Sequence, residues 1–216
     1  MNKKRKTDMK AHTRETQATM TPEKALEFLK QGNVRFQSNL KANRNLLEQV
    51  NDTAEGQFPF ATILSCIDSR VSAELVFDQG LGDIFSIRIA GNFVNQDILG
   101  SMEFACKLAG TKLIVVLGHT SCGAIKGACD HARMGNLTTL INKIEPAVYA
   151  VDEPEEKAQR NSSNLEFVDA VSKKNVEMAL ENVRNQSVIL HEMEEKGEIK
   201  IVGAMYDIST GEVEFY

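Results

Sequence analysis

The chain has 216 residues, with 25 Lys and Arg against 30 Asp and Glu, for a formal net charge of −5. Apolar residues at 42% and charged residues at 25% are proportions of a soluble globular domain, and the length suits one domain with a proper core. This balance excludes a dominant basic face for nucleic acid, no run approaches the ~18 apolar residues of a membrane span, and 4 cysteines are too few for a disulfide scaffold of this length.

Residues 1–19 are polar and lack apolar periodicity, which predicts a mobile N-terminal arm. Lys3, Lys4, Arg5 and Lys6 within it read as a solvated basic tail. No apolar stretch follows that basic start, so it does not read as a signal peptide. A cytoplasmic protein is expected, and a mature exported form has the same appearance.

Residues 20–216 read as one domain. "TPEKALEFLKQGNVRF" at 21–36 opens a helix: Thr21 suits the N-cap, Pro22 the first helical position, and Glu23 the positive end of the helix dipole. Gly32 and Asn33 predict its end, and the helix has no obvious core of its own to join. A second, polar helical stretch is expected at about 40–50. "FATILSC" at 60–66 predicts a short buried strand, "AELVFDQ" at 73–79 a short helix, and the alternating "DIFSIRIAG" at 83–91 a second strand. "LGSMEFACKLAG" at 99–110 predicts a helix ended by Gly110. "KLIVVLGH" at 112–119 is apolar throughout and predicts a strand covered on both faces. "TSCGAIKGACDHA" opens another helix. Helix is expected over 136–160, broken near "DEPEE", and over the amphipathic stretch 162–196. The end predicts a strand, a turn at 209–211 and a second strand. Strands alternating with helices predict an α/β fold, a central, mostly parallel sheet flanked by helices.

Two of these strands, 60–66 and 112–118, end in polar residues. In a parallel sheet their carboxyl ends share an edge, where ligand sites form. Cys66 and Asp68, two apart in an extended segment, face one way, and Arg70 continues that side. His119 and Cys122 span a strand-to-helix turn and can converge. Two thiolates and an imidazole form a zinc-type ligand set, and sulfur argues against magnesium or calcium. Spacing alone also allows a plain reading, with a small buried cysteine at a strand end and a hydrogen-bonded histidine. Cys106 and Cys129 have no partner at ligand spacing and are expected in the core.

"CIDSR" at 66–70 together with "GHTSCGAIKGA" at 118–128 resembles the β-class carbonic anhydrases. The resemblance extends through "DQGLGDIFSIRIAGNFV", "GSMEFACKLAGTKLIVVLGH" and the leading "ALEFLKQGNVRF". It covers residues 20–135, and "IVGAMYDISTGEV" agrees. It implies reversible hydration of CO2 to bicarbonate and a proton, with zinc-bound hydroxide as the nucleophile. Zn2+ would be held by Cys66, His119 and Cys122. Asp68 and Arg70 would form a dyad that orients the hydroxide, and Asp68 would become the fourth ligand in a closed form. Gln57 and the backbone N–H of Gly123 are implied to bind substrate, and Phe85 to line an apolar wall. Phe104 stands where the family can have tyrosine. A non-catalytic bicarbonate site that uses tryptophan in some members cannot form in that way, because the chain has no tryptophan. Asp68 is therefore expected to face Arg70. His131, Asp130 and buffer are candidates for proton removal. The resemblance also implies a homodimer or homotetramer, with the N-terminal helix lying on a partner subunit. Two rival readings use the same residues: a relative acting on CS2 or COS, and a non-catalytic zinc- or bicarbonate-binding module.

Overall fold

The computed structural model describes residues 9–216. The basic run at 3–6 lies outside the described residues. Five strands form one sheet in the order β2-β1-β3-β4-β5: β1 Ala61–Ser65, β2 Ile84–Arg88, β3 Leu113–His119, β4 Lys200–Tyr206 and β5 Val213–Phe215. β2, β1, β3 and β4 run parallel, and β5 returns antiparallel beside β4. This is the α/β architecture expected from the alternation of elements.

Side-chain alternation divides the core between the two faces of the sheet. Ile63, Val115, Leu117 and Val202 join one apolar cluster with Leu29, Val76 and Phe77. Leu64, Ile114, Val116 and Ile201 join another with Met102, Val176, Val183 and Leu190. β3 is buried at every position because helices cover both of its faces.

The helices are α1 Arg14–Ala18, α2 Pro22–Gln37, α3 Leu46–Asp52, α4 Ala73–Val76, α5 Gln96–Glu103, α6 Gly123–Cys129, α7 Gly135–Tyr149, α8 Leu165–Gln186 and α9 Val188–Glu195. Several differ from expectation for local reasons. α2 runs through Gly32 and Asn33 rather than ending there. Gly32 is where α2 meets the end of α4, and a Cβ would collide with the Phe77 carbonyl. Asn33 is buried and ties α2 to the body, donating to Val76 O at 3.1 Å and Gly211 O at 2.8 Å. α2 therefore does have a core to join, with Ala25 and Leu29 fully buried in it, while Phe28 and Val34 stay exposed. The helix expected at 99–110 is α5 followed by a π-helical turn, Phe104–Leu108, and Gly110 ends it at a φ of 84°. The stretch 162–196 is divided at Ser187, which caps α9.

The described part of the expected arm, residues 9–19, is not separate from the body. A reciprocal capping box between Thr13 and Thr16 starts α1. The Gln17 amide donates to Pro59 O at 2.7 Å and Ala109 O at 2.8 Å. These are polar ties, so apolar periodicity gave no sign of them.

Candidate metal centre

The pairing of Ser65 with Leu117 brings the ends of β1 and β3 to one sheet edge. Cys66 follows β1 directly. β3 ends in His119, and a short turn leads to Cys122, the N-cap residue of α6. Ser121 in that turn sits in the left-handed region at a φ of 53°, a conformation that surrounding contacts must hold. The Asp169 carboxylate does so by accepting the Ser121 N–H at 2.7 Å.

The ligand-type atoms of Cys66, His119 and Cys122 all lie within 4.8 Å of one another, and all three residues are buried. The two sulfurs are 3.9 Å apart. Tetrahedral coordination at ~2.3 Å per sulfur requires a separation of roughly 3.8 Å. His119 Nδ1 lies 3.0 Å from the Thr120 carbonyl, which can only accept. Nδ1 therefore carries the proton, and Nε2 presents its lone pair. Among the described residues Nε2 has no hydrogen-bond partner, although it is fully buried. A buried imidazole nitrogen left open beside two sulfurs fits a thiophilic metal better than a packed core.

Cys66 is pulled below the usual thiol range, first by the hydrogen bond from Cys122, with burial opposing and the Gly91 N–H assisting. The same bond and burial push Cys122 up. The Gly91 N–H lies 3.4 Å from Cys66 Sγ.

Asp68 faces Arg70. Its Oδ1 accepts from Arg70 N and Nε, each at 2.9 Å, and its Oδ2 accepts from Nη2 at 2.7 Å. The Arg70 hydrogen bonds hold the carboxylate well below its usual range, against the opposing effect of burial. Arg88 at the end of β2 supports this loop, donating to Cys66 O at 3.0 Å and Asp68 O at 2.8 Å. The sequence reading missed Arg88. Its only signal there was a cation interrupting an otherwise apolar alternation.

Of the remaining candidates, Gly123 adjoins the cluster through Cys122, and the others lie elsewhere. Phe85 pairs with Thr62, four residues before Cys66, or ~13 Å along the strand. It meets Phe104 edge-on at a centroid distance of 6.3 Å. Both line a cavity of about 860 Å³ with Arg88, Gln96 and Ser101. Gln57 is exposed in the loop before β1. Gly123 is the first residue of α6, with nothing within 4 Å of where a Cβ would stand. Asp130 and His131 lie at the far end of α6, occupied by the Ser162 N–H and by Glu145 at 2.8 Å each.

A mostly parallel α/β sheet that carries two thiols and an imidazole, clustered and buried at its carboxyl edge, defines a protein built for a metal-type site. Comparison with known proteins makes this specific. The family model described as "Carbonic anhydrase" matches residues 61–213. Carbonic anhydrase 2 of Mycobacterium tuberculosis is 35% identical over 196 residues, covering 88% of this chain and 90% of that protein. The solved β-carbonic anhydrase CcaA is similar in fold, with a TM-score of 0.68 at 24% identity, covering 90% of this chain and 85% of that one. One of two tetrameric β-carbonic anhydrases of Sordaria macrospora gives a TM-score of 0.65 at 22% identity, covering 78% and 89%. The chain belongs to the β-class carbonic anhydrase family and is a carbonic anhydrase enzyme.

Proposed function

We propose that this chain hydrates CO2 reversibly to bicarbonate and a proton at a zinc ion held by Cys66, His119 and Cys122. The observation that carries this reading is the buried, unpartnered Nε2 of His119 beside two sulfurs 3.9 Å apart. When bound, zinc supplies a Lewis acid that makes hydroxide available from water near neutral pH.

The chain's own groups then orient the reaction. Asp68, kept ionised by Arg70, accepts a hydrogen bond from the nucleophilic water or hydroxide and so turns an oxygen lone pair towards CO2. Facing Arg70 leaves the Asp68 carboxylate free for this role; turned away, it would become a fourth metal ligand. In this reading the Gly123 N–H, at the start of α6 beside Cys122, holds a bicarbonate oxygen. Phe85 lies about 13 Å along the strand from Cys66, so the substrate roles read for Phe85, Phe104 and Gln57 call on a second copy of the chain.

A homodimer or homotetramer agrees with the apolar residues left exposed near the β2 edge and on α4, among them Leu75 at 56%, Phe104 at 53% and Leu108 at 76%. The Sordaria macrospora relatives are tetrameric. The cytoplasm, where thiols stay reduced, suits the four free cysteines. Among the described residues no helix is long and apolar enough to cross a membrane.

Zinc analysis combined with stopped-flow CO2 hydration tests the proposal. Turnover that rises with zinc content is the expected result. A fully zinc-loaded protein with no CO2 hydration at alkaline pH would overturn it.

A further inference from the structure

α8 packs on β3 and β4, and that packing needs only apolar side chains. Val176, Ala179 and Val183 supply them, each buried in the cluster that holds Ile114, Val116 and Ile201. Gly118 lets α8 come close just before His119, since a Cβ there would meet Val176 Cγ2 at 2.6 Å. Yet three polar residues on the same side of α8, at steps of three, also face inward. Ser172 and Asn175 are 1% and 4% exposed. A polar side chain on a packing face is unfavourable unless it is hydrogen-bonded.

Two of the bonds these residues make reach the segment that carries His119 and Cys122, and the third reaches the loop after β2, whose Gly91 N–H meets Cys66. Asp169 Oδ1 accepts the Ser121 N–H at 2.7 Å, fixing the strained turn before Cys122. Ser172 Oγ donates to the His119 carbonyl at 3.0 Å, with Met205 Sδ at 3.9 Å as its other neighbour. Asn175 Nδ2 donates to the Gly91 carbonyl at 2.7 Å, and the Gly91 N–H points at Cys66 Sγ, 3.4 Å away. Gly91 has a φ of 76° and no side chain of its own to anchor it. Asn175 thus anchors the carbonyl side of the residue whose N–H meets the sulfur.

We propose that Asp169, Ser172 and Asn175 are positioning residues through which α8 preorganises the metal ligands, Asn175 acting on Cys66 through Gly91. This rests on the zinc site proposed above. It extends that site to a helix more than 40 residues beyond the last ligand. An N–H donated to a thiolate draws charge from the sulfur, so losing it changes the metal's electronic surroundings as well as its affinity.

The test uses the full chain as wild type, Asn175→Asp, Asp169→Leu and Asp169→Asn. Asn175→Asp keeps the shape but removes the donor. Asp169→Asn keeps an oxygen acceptor for Ser121 and serves as the conservative rescue. Three quantities are read: zinc affinity by chelator competition, the thiolate-to-metal charge-transfer band of the cobalt(II)-substituted protein, and the Tm of the metal-free protein. Asn175→Asp and Asp169→Leu are expected to bind zinc about 10–100-fold more weakly, the range found when the outer partners of metal ligands are removed. The cobalt band of Asn175→Asp should shift, and Asp169→Asn should stay near wild type. Wild-type affinity and an unshifted band in Asn175→Asp would overturn the proposal alone. So would affinity losses in all variants that simply track the metal-free Tm, because those would reflect folding. A wild-type protein that takes up no zinc would overturn the zinc reading itself and this inference with it.

Discussion

Cys66 and Cys122 are as deeply buried as Cys106 and Cys129, with 3% and 0% of their surface exposed against 2% and 2%. Burial above all pushes Cys106 and Cys129 up to about 11, against a hydrogen bond with Thr111 at Cys106 and with help from the Asp130 charge at Cys129, and leaves both as unreactive thiols. Cys66 moves the other way, first because Cys122 hydrogen-bonds its sulfur, with the Gly91 N–H 3.4 Å away also contributing. The difference lies in where the chain places each residue. Cys106 sits inside a π-helical turn and Cys129 at the end of α6, whereas Cys66 and Cys122 sit where strand, turn and helix start converge. Burial makes a thiol unreactive only when nothing nearby favours the thiolate.

The strongest way to break this contrast is to change one thiol at a time. Cys66→Ser or Cys122→Ser should release almost all zinc and lower CO2 hydration by at least ~10³-fold. Cys106→Ser and Cys129→Ser should keep both. Elemental analysis of dialysed protein would show the split, and equal metal loss from all four variants would erase it.

Two aspartates extend the comparison from thiols to carboxylates. Asp68 pairs with the half-exposed Arg70 at the sheet edge, whereas Asp78 is 6% exposed and held by Arg35 and the buried Arg44. Asp68→Asn should keep zinc and lower turnover about 100-fold with little change in Tm. Asp78→Ala should leave zinc in place and reduce stability by about 3 kcal/mol, because it strands a buried guanidinium. Urea unfolding and stopped-flow rates measured on both variants would separate the two roles.

Acid sharpens the contrast further. Burial would raise the Asp78 pKa, but hydrogen bonds from Arg35, the Ala42 N–H and Arg44 outweigh it, and the folded value is depressed. The stability Asp78 contributes is therefore present above the ordinary carboxylate value of about 3.9 and disappears as pH falls through the folded value. The urea midpoint of wild type should drop more steeply below about pH 4 than that of Asp78→Ala. The smallest effect is expected from Cys129→Ala, about 1 kcal/mol of lost packing with metal and activity intact, measured by thermal unfolding.

Local patterns made much of the molecule legible. The apolar run of β3 announced a strand covered on both faces, and His119 and Cys122 could be placed at the turn that follows it. Cys66, Asp68 and Arg70 lie within one short loop, so side-chain direction alone grouped them. Gly32 misled because glycine usually ends helices, while here it allows α2 to touch α4. Asp169, Ser172 and Asn175 gave no signal. Their meaning depends on contacts with Ser121, His119 and Gly91, 48, 53 and 84 residues away. In the sequence they are only polar positions on an amphipathic helix. Gln17 joined the body through two backbone carbonyls, which leave no periodic trace.

Zinc K-edge X-ray absorption of the loaded protein tests most directly whether Cys66, His119 and Cys122, rather than the other two thiols, make the metal site. Two sulfur scatterers at ~2.3 Å with an imidazole at ~2.0 Å are expected, and Cys66→Ser should remove one sulfur or the metal altogether. A shell of nitrogen and oxygen alone, or one with three or four sulfurs, would contradict it.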